Sequence, residues 1–101
     1  MTQIQRIEKM SEILGEVIKS QKEFEIALEN FKNSQKLMAK LSRYYFGGAW
    51  RKDYECDEQG KIPKTINRGA LSEDGIYNAI WLNKELAKDI QKIAKKVLNT
   101  K

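Results

Sequence analysis

The sequence contains no histidine, one cysteine and one proline in 101 residues. Without an imidazole there can be no Ser-His-Asp triad, no Cys-His dyad and no histidine-ligated zinc. The lone thiol, Cys56, cannot form an intrachain disulfide or build a thiolate zinc site by itself. Its isolation fits a reducing compartment, and the sequence leaves its reactivity open. No apolar run approaches the roughly 20 residues that span a bilayer. The opening Met1-Thr2-Gln3-Ile4-Gln5-Arg6 carries no apolar segment, so a Sec-type signal peptide is not expected. These absences lead to the expectation of a cytoplasmic, non-enzymatic protein with no cofactor, no bound metal and no membrane partner.

What is present is charge and helix-forming residues. Charged residues make up 33% of the chain, hydrophobic ones 41%, and the net charge is +5. Residues 1–46 carry eight basic and six acidic groups, residues 47–71 five and four, and residues 72–101 six and four. The excess is spread along the chain, a weaker sign of nucleic-acid binding than a focused patch would be.

The pattern predicts a single all-α domain over 1–101, with a helix over 3–45, a connector with a short helix over 46–71 and a second long helix over 72–98. In the first helix Ile7, Met10, Leu14, Val17, Phe24, Leu28, Phe31 and Met38 alternate spacings of three and four once Gln21 and Gln35 are counted in the same seam. That is an a/d heptad pattern. Ile13, Ile18, Ala27, Leu37 and Leu41 widen the stripe beyond a bare two-stranded coil. Gln21 and Gln35 are read first as solvated interruptions; the sharper alternative is that they set register or partner choice.

Gly47-Gly48 marks the end of the first helix. Ala49–Glu58 has room for two or three turns, Gly60 would stop it, Pro63 bars continuation, and Asn67-Arg68-Gly69 is a turn signal. Ser72 is the expected N-cap of the second long helix, with Glu73 and Asp74 at the positive end of its dipole and Lys92, Lys95 and Lys96 toward the negative end. Ile76, Ala79, Ile80, Leu82, Leu86, Ala87, Ile90, Ile93, Ala94, Val97 and Leu98 form its apolar stripe, interrupted by Asn83. The expected architecture is an antiparallel helical hairpin. The second helix is too short to cover the first. The uncovered seam over Leu14, Val17, Phe24, Leu28, Phe31 and Met38 therefore predicts a homodimer, coiled-coil-like or a four-helix bundle, or else a protein partner.

Aromatic residues crowd into Tyr44, Tyr45, Phe46, Trp50 and Tyr54, with Tyr77 and Trp81 expected as their neighbours. The plainer reading is a plug at the end of the hairpin; the functional one is a platform for a partner. Asp53, Glu55, Asp57 and Glu58 begin like a calcium loop. The match fails because Glu58 stands at the glycine position and Lys64 at the final glutamate. Asp53 and Asp57 share a helical face, which favours pairing with Arg51, Lys52, Lys61 or Arg68 over metal binding. Glu8, Glu12 and Glu16 read as a solvated face beside Arg6 and Lys9. Lys84, Lys88, Lys92 and Lys95 or Lys96 form a basic row, more simply a solubility feature than a phosphate contact. The candidate interaction surface is therefore Tyr45, Trp50, Asp53, Tyr54, Asp57, Arg68, Tyr77 and Trp81.

The run Tyr44-Tyr45, Trp50, Asp53-Tyr54-Glu55, Asp57, Gly60-Lys61-Ile62-Pro63, Arg68-Gly69-Ala70-Leu71-Ser72-Glu73-Asp74 and Ile76-Tyr77, with the opening Arg6-Ile7-Glu8-Lys9-Met10, resembles a small bacterial family known as domain of unknown function 4298. The resemblance spans nearly the whole chain and implies no activity. Gly75 departs from it where a helix former is expected. In length, and in a tryptophan near the turn, the chain is also similar to helical hairpins of Gram-positive type VII secretion. Their Trp-x-Gly motif is replaced by Trp50-Arg51-Lys52, and their C-terminal Tyr-x-x-x-Asp/Glu signal is missing. The reading favoured by the residues is a protein–protein interaction or scaffold module. A small nucleic-acid-associated regulator using the basic helix face is the alternative, and a secretion-type hairpin the minor one.

Overall fold

The computed structural model describes residues 2–101; Met1, the first residue of the expected domain, lies outside the described residues. Three α-helices account for most of the chain: α1 (Gln3–Phe46), α2 (Ala49–Glu58) and α3 (Gly75–Leu98), with one 3-10 turn, η1 (Gly69–Leu71), before α3. No strand occurs among the described residues. None of these helices is long and apolar enough to cross a membrane. By contact the chain divides into two compact units, Met1–Lys36 and Leu37–Lys101.

The first unit is helical from Gln3 onward. It opens on a capping box not anticipated from the sequence. The Gln5 backbone N–H donates to Thr2 Oγ1 at 3.1 Å, and the Thr2 N–H donates to Gln5 Oε1 at 2.9 Å. Together they satisfy two donors at the helix start. No proline interrupts the helix, and Gly15 costs only about 1 kcal/mol relative to alanine. Side-chain ion pairs are solvent-exposed and long, Lys9–Glu12 at 3.9 Å and Lys19–Glu23 at 4.0 Å, so they contribute little to stability. The first of them confirms that the Glu8–Glu12 side is a solvated charged face. From Ile7 to Leu28 every seam residue is exposed; Phe31 and Gln35 are half-buried. Gln35 Nε2 donates to the Phe31 carbonyl at 3.1 Å, so this polar seam member is engaged with its own helix.

The second unit begins with the last turns of α1, where Met38, Leu41, Ser42, Tyr44 and Tyr45 are half-buried. The joint to α2 requires glycine twice. A Cβ at Gly47 would stand 2.5 Å from the Arg43 carbonyl oxygen, the acceptor of Gly47's own N–H at 2.9 Å. Gly48 adopts φ 95°, in the left-handed region. α2 ends in a Schellman motif: Gly60, at φ 73°, donates to the Asp57 carbonyl, and Lys61 to the Cys56 carbonyl, both at 3.0 Å. Beyond it, Asn67 Oδ1 accepts the Gly69 N–H at 3.0 Å, the side-chain turn that Asn67-Arg68-Gly69 announced.

The start of the second long helix differs from the expectation. Its N-cap is Asp74, and no side chain caps it; Ser72 is extended and closes η1 instead. The Ser72 N–H is spent on the Gly69 carbonyl at 3.4 Å, and the first helical hydrogen bond runs from the Asn78 N–H to the Asp74 carbonyl at 2.8 Å, so the helix begins three residues later than 72. Gly75 stands so close to Ser72 that a Cβ there would meet the Ser72 hydroxyl oxygen. Ile76 follows as the one buried side chain among the described residues, 5% exposed. The 3-10 turn approaches both α2 and α3 and so joins the two helices within this unit.

Candidate functional site

The connector candidates lie in the second unit, and three hydrogen bonds organise them. Trp50, in the first turn of α2, donates its indole Nε1–H to the Ala70 carbonyl at 2.8 Å, which ties α2 to η1. Arg68 Nη1 donates to Asp57 Oδ1 at 2.7 Å, a second tie between α2 and the segment leading into η1. Tyr44 donates its hydroxyl to Asp53 Oδ2 at 2.6 Å, linking the end of α1 to α2. The residues Asp53 and Asp57 do share a face of α2, one turn apart, but each carboxylate has its own internal partner.

The Asp57–Arg68 pair is the most enclosed of the ion pairs, with Asp57 17% and Arg68 35% exposed. Partial desolvation and a short, charge-assisted hydrogen bond make it stronger than the exposed pairs of α1. Tyr44 is also perturbed. Desolvation, then its hydrogen bond to Asp53 and the nearby carboxylate charge push its phenol from the ordinary 10.0 up to about 12. This hydroxyl is therefore a proton donor to Asp53 and no nucleophile at neutral pH. Tyr54 is shifted upward as well, first by the charge of Glu58, then by desolvation and the charge of Glu73.

Above this framework the rings form a chain. Phe46 meets Tyr45 edge-on at 5.1 Å, Tyr45 lies 4.9 Å from Trp50 at a tilt of 49°, and Trp50 stacks on Tyr54 at 5.0 Å and 23°. Offset and edge contacts of this kind stabilise beyond the area they bury. Of the sequence-predicted surface, the structure brings together Tyr45, Trp50, Tyr54, Asp53, Asp57 and Arg68. Tyr77 and Trp81 do not join them as expected. They are 54% and 56% exposed on α3 and make no ring contact. With α3 beginning at Gly75 and Ile76 buried, the helical rotation turns both rings to solvent. Two participants had escaped the sequence reading. The Ala70 carbonyl is a backbone acceptor with no side-chain signature; Ile76 was one of many apolar residues in a stripe, and only its place beside η1 singles it out.

The arrangement is a structural clamp with an exposed rim. An open depression lies among Asp57, Lys64, Asn67, Arg68 and Ser72. Cys56 is a free, half-buried thiol on the same helix. Among the described residues no three His, Cys, Asp or Glu side chains are grouped to hold a metal ion. The oligomer-seam candidates lie elsewhere: Leu14, Val17, Phe24 and Leu28 are exposed on the first unit, Phe31 is half-buried there, and Met38 is half-buried in the second.

The model of the family described as Domain of unknown function (DUF4298) matches residues 7–93, so the chain belongs to that family. The match runs through the seam, the clamp and most of α3. No curated protein and no solved structure matches the chain.

Proposed function

We propose that this DUF4298 chain is a non-enzymatic scaffold that assembles with a second copy of itself through the N-terminal part of α1. The observation that carries this reading is the seam from Ile7 to Leu28. Ile7, Met10, Leu14 and Phe24 are 55–58% exposed, and Val17 and Leu28 are 46% and 42% exposed. Six large apolar side chains at heptad spacing on a bare helix exceed what a soluble helix ordinarily leaves to water. A lone helix of this length gains most of its stability from packing an apolar face, and within its own unit this one has nothing to pack on.

The chemistry of the flanks favours a like copy. Of the positions beside the seam, Ser11, Ile13, Ile18, Ser20 and Ala27 are small or apolar, and Arg6 and Glu25 carry the only charges. Two copies would bring few like charges together there, and apolar residues at those positions suit assemblies of more than two helices. A four-helix bundle of two chains, with α1 and α3 antiparallel in each, is the arrangement we favour. Gln21, in the middle of the seam, would then fix its register.

Light scattering on the purified chain tests the proposal. A dimer or larger oligomer is expected. Leu28→Glu should convert it to monomer and lower its far-ultraviolet helical signal, while Ile26→Glu, 65% exposed but off the seam, should change neither. A monomeric wild type, or an assembly indifferent to Leu28→Glu, would overturn it.

A further inference from the structure

With α3 bounded at Gly75–Leu98, its helical phase can be read residue by residue. At 3.6 residues per turn, Tyr77, Trp81, Lys84, Lys88, Lys92 and Lys95 all fall within an arc of about 80°. No other residue of α3 falls within it. Glu85 and Asp89, which interrupt the lysines in sequence, lie outside the arc in space. All six side chains are exposed. One of the lysines is paired, Lys88 with Glu85 at 3.2 Å, in the open. Lys84, Lys92 and Lys95 have no carboxylate partner among the described residues. The stripe is thus two large rings followed by one lysine per turn, running roughly 27 Å along the axis at 1.5 Å per residue.

We infer that this face of α3 binds single-stranded nucleic acid, with the lysines on successive phosphates and Tyr77 and Trp81 stacking on bases. Complementarity of charge and ring supports this occupant. A regular row of cations without carboxylates matches a regular row of phosphates. Exposed aromatic rings in line with that row are what sequence-tolerant base stacking needs. The helix dipole accounts for Lys95 in the last turn but not for Lys84 or Lys88, which lie in the middle of the helix. Nor is an anionic membrane the better fit. A surface-bound helix sinks its aliphatic face into lipid. Here the aliphatic side is already partly used, with Ile76 buried and Ala79, Ile80 and Ile90 half-buried, while the rings stand on the opposite, basic side. The inference does not depend on self-association through α1.

Fluorescence anisotropy of a labelled deoxythymidine oligomer, titrated with the full chain at low salt, tests it. Binding should weaken with salt at a log–log slope of about −3, since single strands give roughly −0.7 per phosphate neutralised by each of four lysines. Lys84→Gln with Lys92→Gln should flatten that slope to about half. Trp81→Ala should weaken binding by about 5- to 100-fold at unchanged slope, and Trp81→Phe should largely restore it. Because Trp81 is exposed, these variants are expected to keep the wild-type far-ultraviolet spectrum. Undetectable oligomer binding overturns the inference. So does equal affinity for polyglutamate, or a Trp81→Ala variant that binds as well as wild type, either of which would mean charge alone. Binding to phosphatidylserine vesicles without binding to the oligomer would reassign the face to a membrane and overturn it as well.

Discussion

The Asp57–Arg68 contact gives the sharpest quantitative test of the clamp. Truncating Arg68 to alanine leaves Asp57, 17% exposed, without the cation 2.7 Å away. A hydrogen bond to a charged group contributes about 1.5–3 kcal/mol when well enclosed, against 0.2–1 kcal/mol for fully exposed pairs. Arg68 is 35% exposed, so the value lies between these ranges, at about 1–2 kcal/mol. For a domain of this size that is a fall in midpoint of roughly 5–12 °C. Asp57→Asn should cost less, because the amide still offers an oxygen to the guanidinium. The decisive quantity is the coupling energy from the two single variants and the double variant, expected at about 1 kcal/mol. Trp50 reports on the same tie through its hydrogen bond to Ala70, so in a Trp81→Phe background, where it is the one tryptophan, its fluorescence follows unfolding of this unit in urea in all four proteins. A coupling below about 0.3 kcal/mol would place the pair with ordinary surface ion pairs and refute the clamp.

Tyr44 should make the protein sensitive to alkali. Its folded pKa of about 12 lies above the ordinary 10.0, so the stability it contributes is complete below pH 10 and is lost as pH rises from 10 to 12. Tyr44→Phe should cost about 1 kcal/mol at neutral pH, after allowance for solvent screening, and should lose less between pH 10 and 12 than wild type. Titration of tyrosinate absorbance should show the highest transition disappear in that variant; its persistence would assign it to another tyrosine. Gly60→Ala places a side chain at φ 73° and should destabilise the second unit by about 1–2 kcal/mol, read as a lower urea midpoint in Trp50 fluorescence. Gly47→Ala should cost at least as much, because the clash is with a backbone oxygen that cannot rotate away.

Local signals carried the helices well. Gly47-Gly48 and Gly60 are stop signals because each has a backbone reason, visible as a close approach or a positive φ. The missing breakers between Gln3 and Phe46 made α1 unmistakable. The failures had separate causes. Ser72 is a good N-cap by type, yet it serves η1, whose Gly69 carbonyl takes its N–H. Thr2 and Gln5 carried a capping-box pattern that went unread. In the connector, the ion pair between Asp57 and Arg68 was among the options that opposite charges eleven residues apart left open; the acceptor for Trp50 was not, since a carbonyl belongs to every residue.

The phase of α3 shows how the packing of one residue governs a functional reading. Each residue added to or removed from a helix start leaves the relative positions of its side chains unchanged, but which arc faces inward is decided by packing alone. Burial of Ile76 beside η1 decides it here. Tyr77 then lies about 100° away and Trp81 about 140° away from the buried direction, on the side that water reaches. Read along the sequence, the two rings belong with the aromatic connector and the lysines with the acidic residues between them. Read around the helix, the rings leave the connector and join the lysines, while Glu85 and Asp89 drop out of line. The clamp at Trp50 and Arg68 that sets η1 therefore also sets which chemistry α3 presents. Loosening it, as in Arg68→Ala, should weaken oligonucleotide binding by α3 without touching a residue of its stripe. If binding were unchanged in a variant whose Trp50 fluorescence showed the clamp opened, the phase of α3 would have to be held by Ile76 and its own apolar neighbours instead.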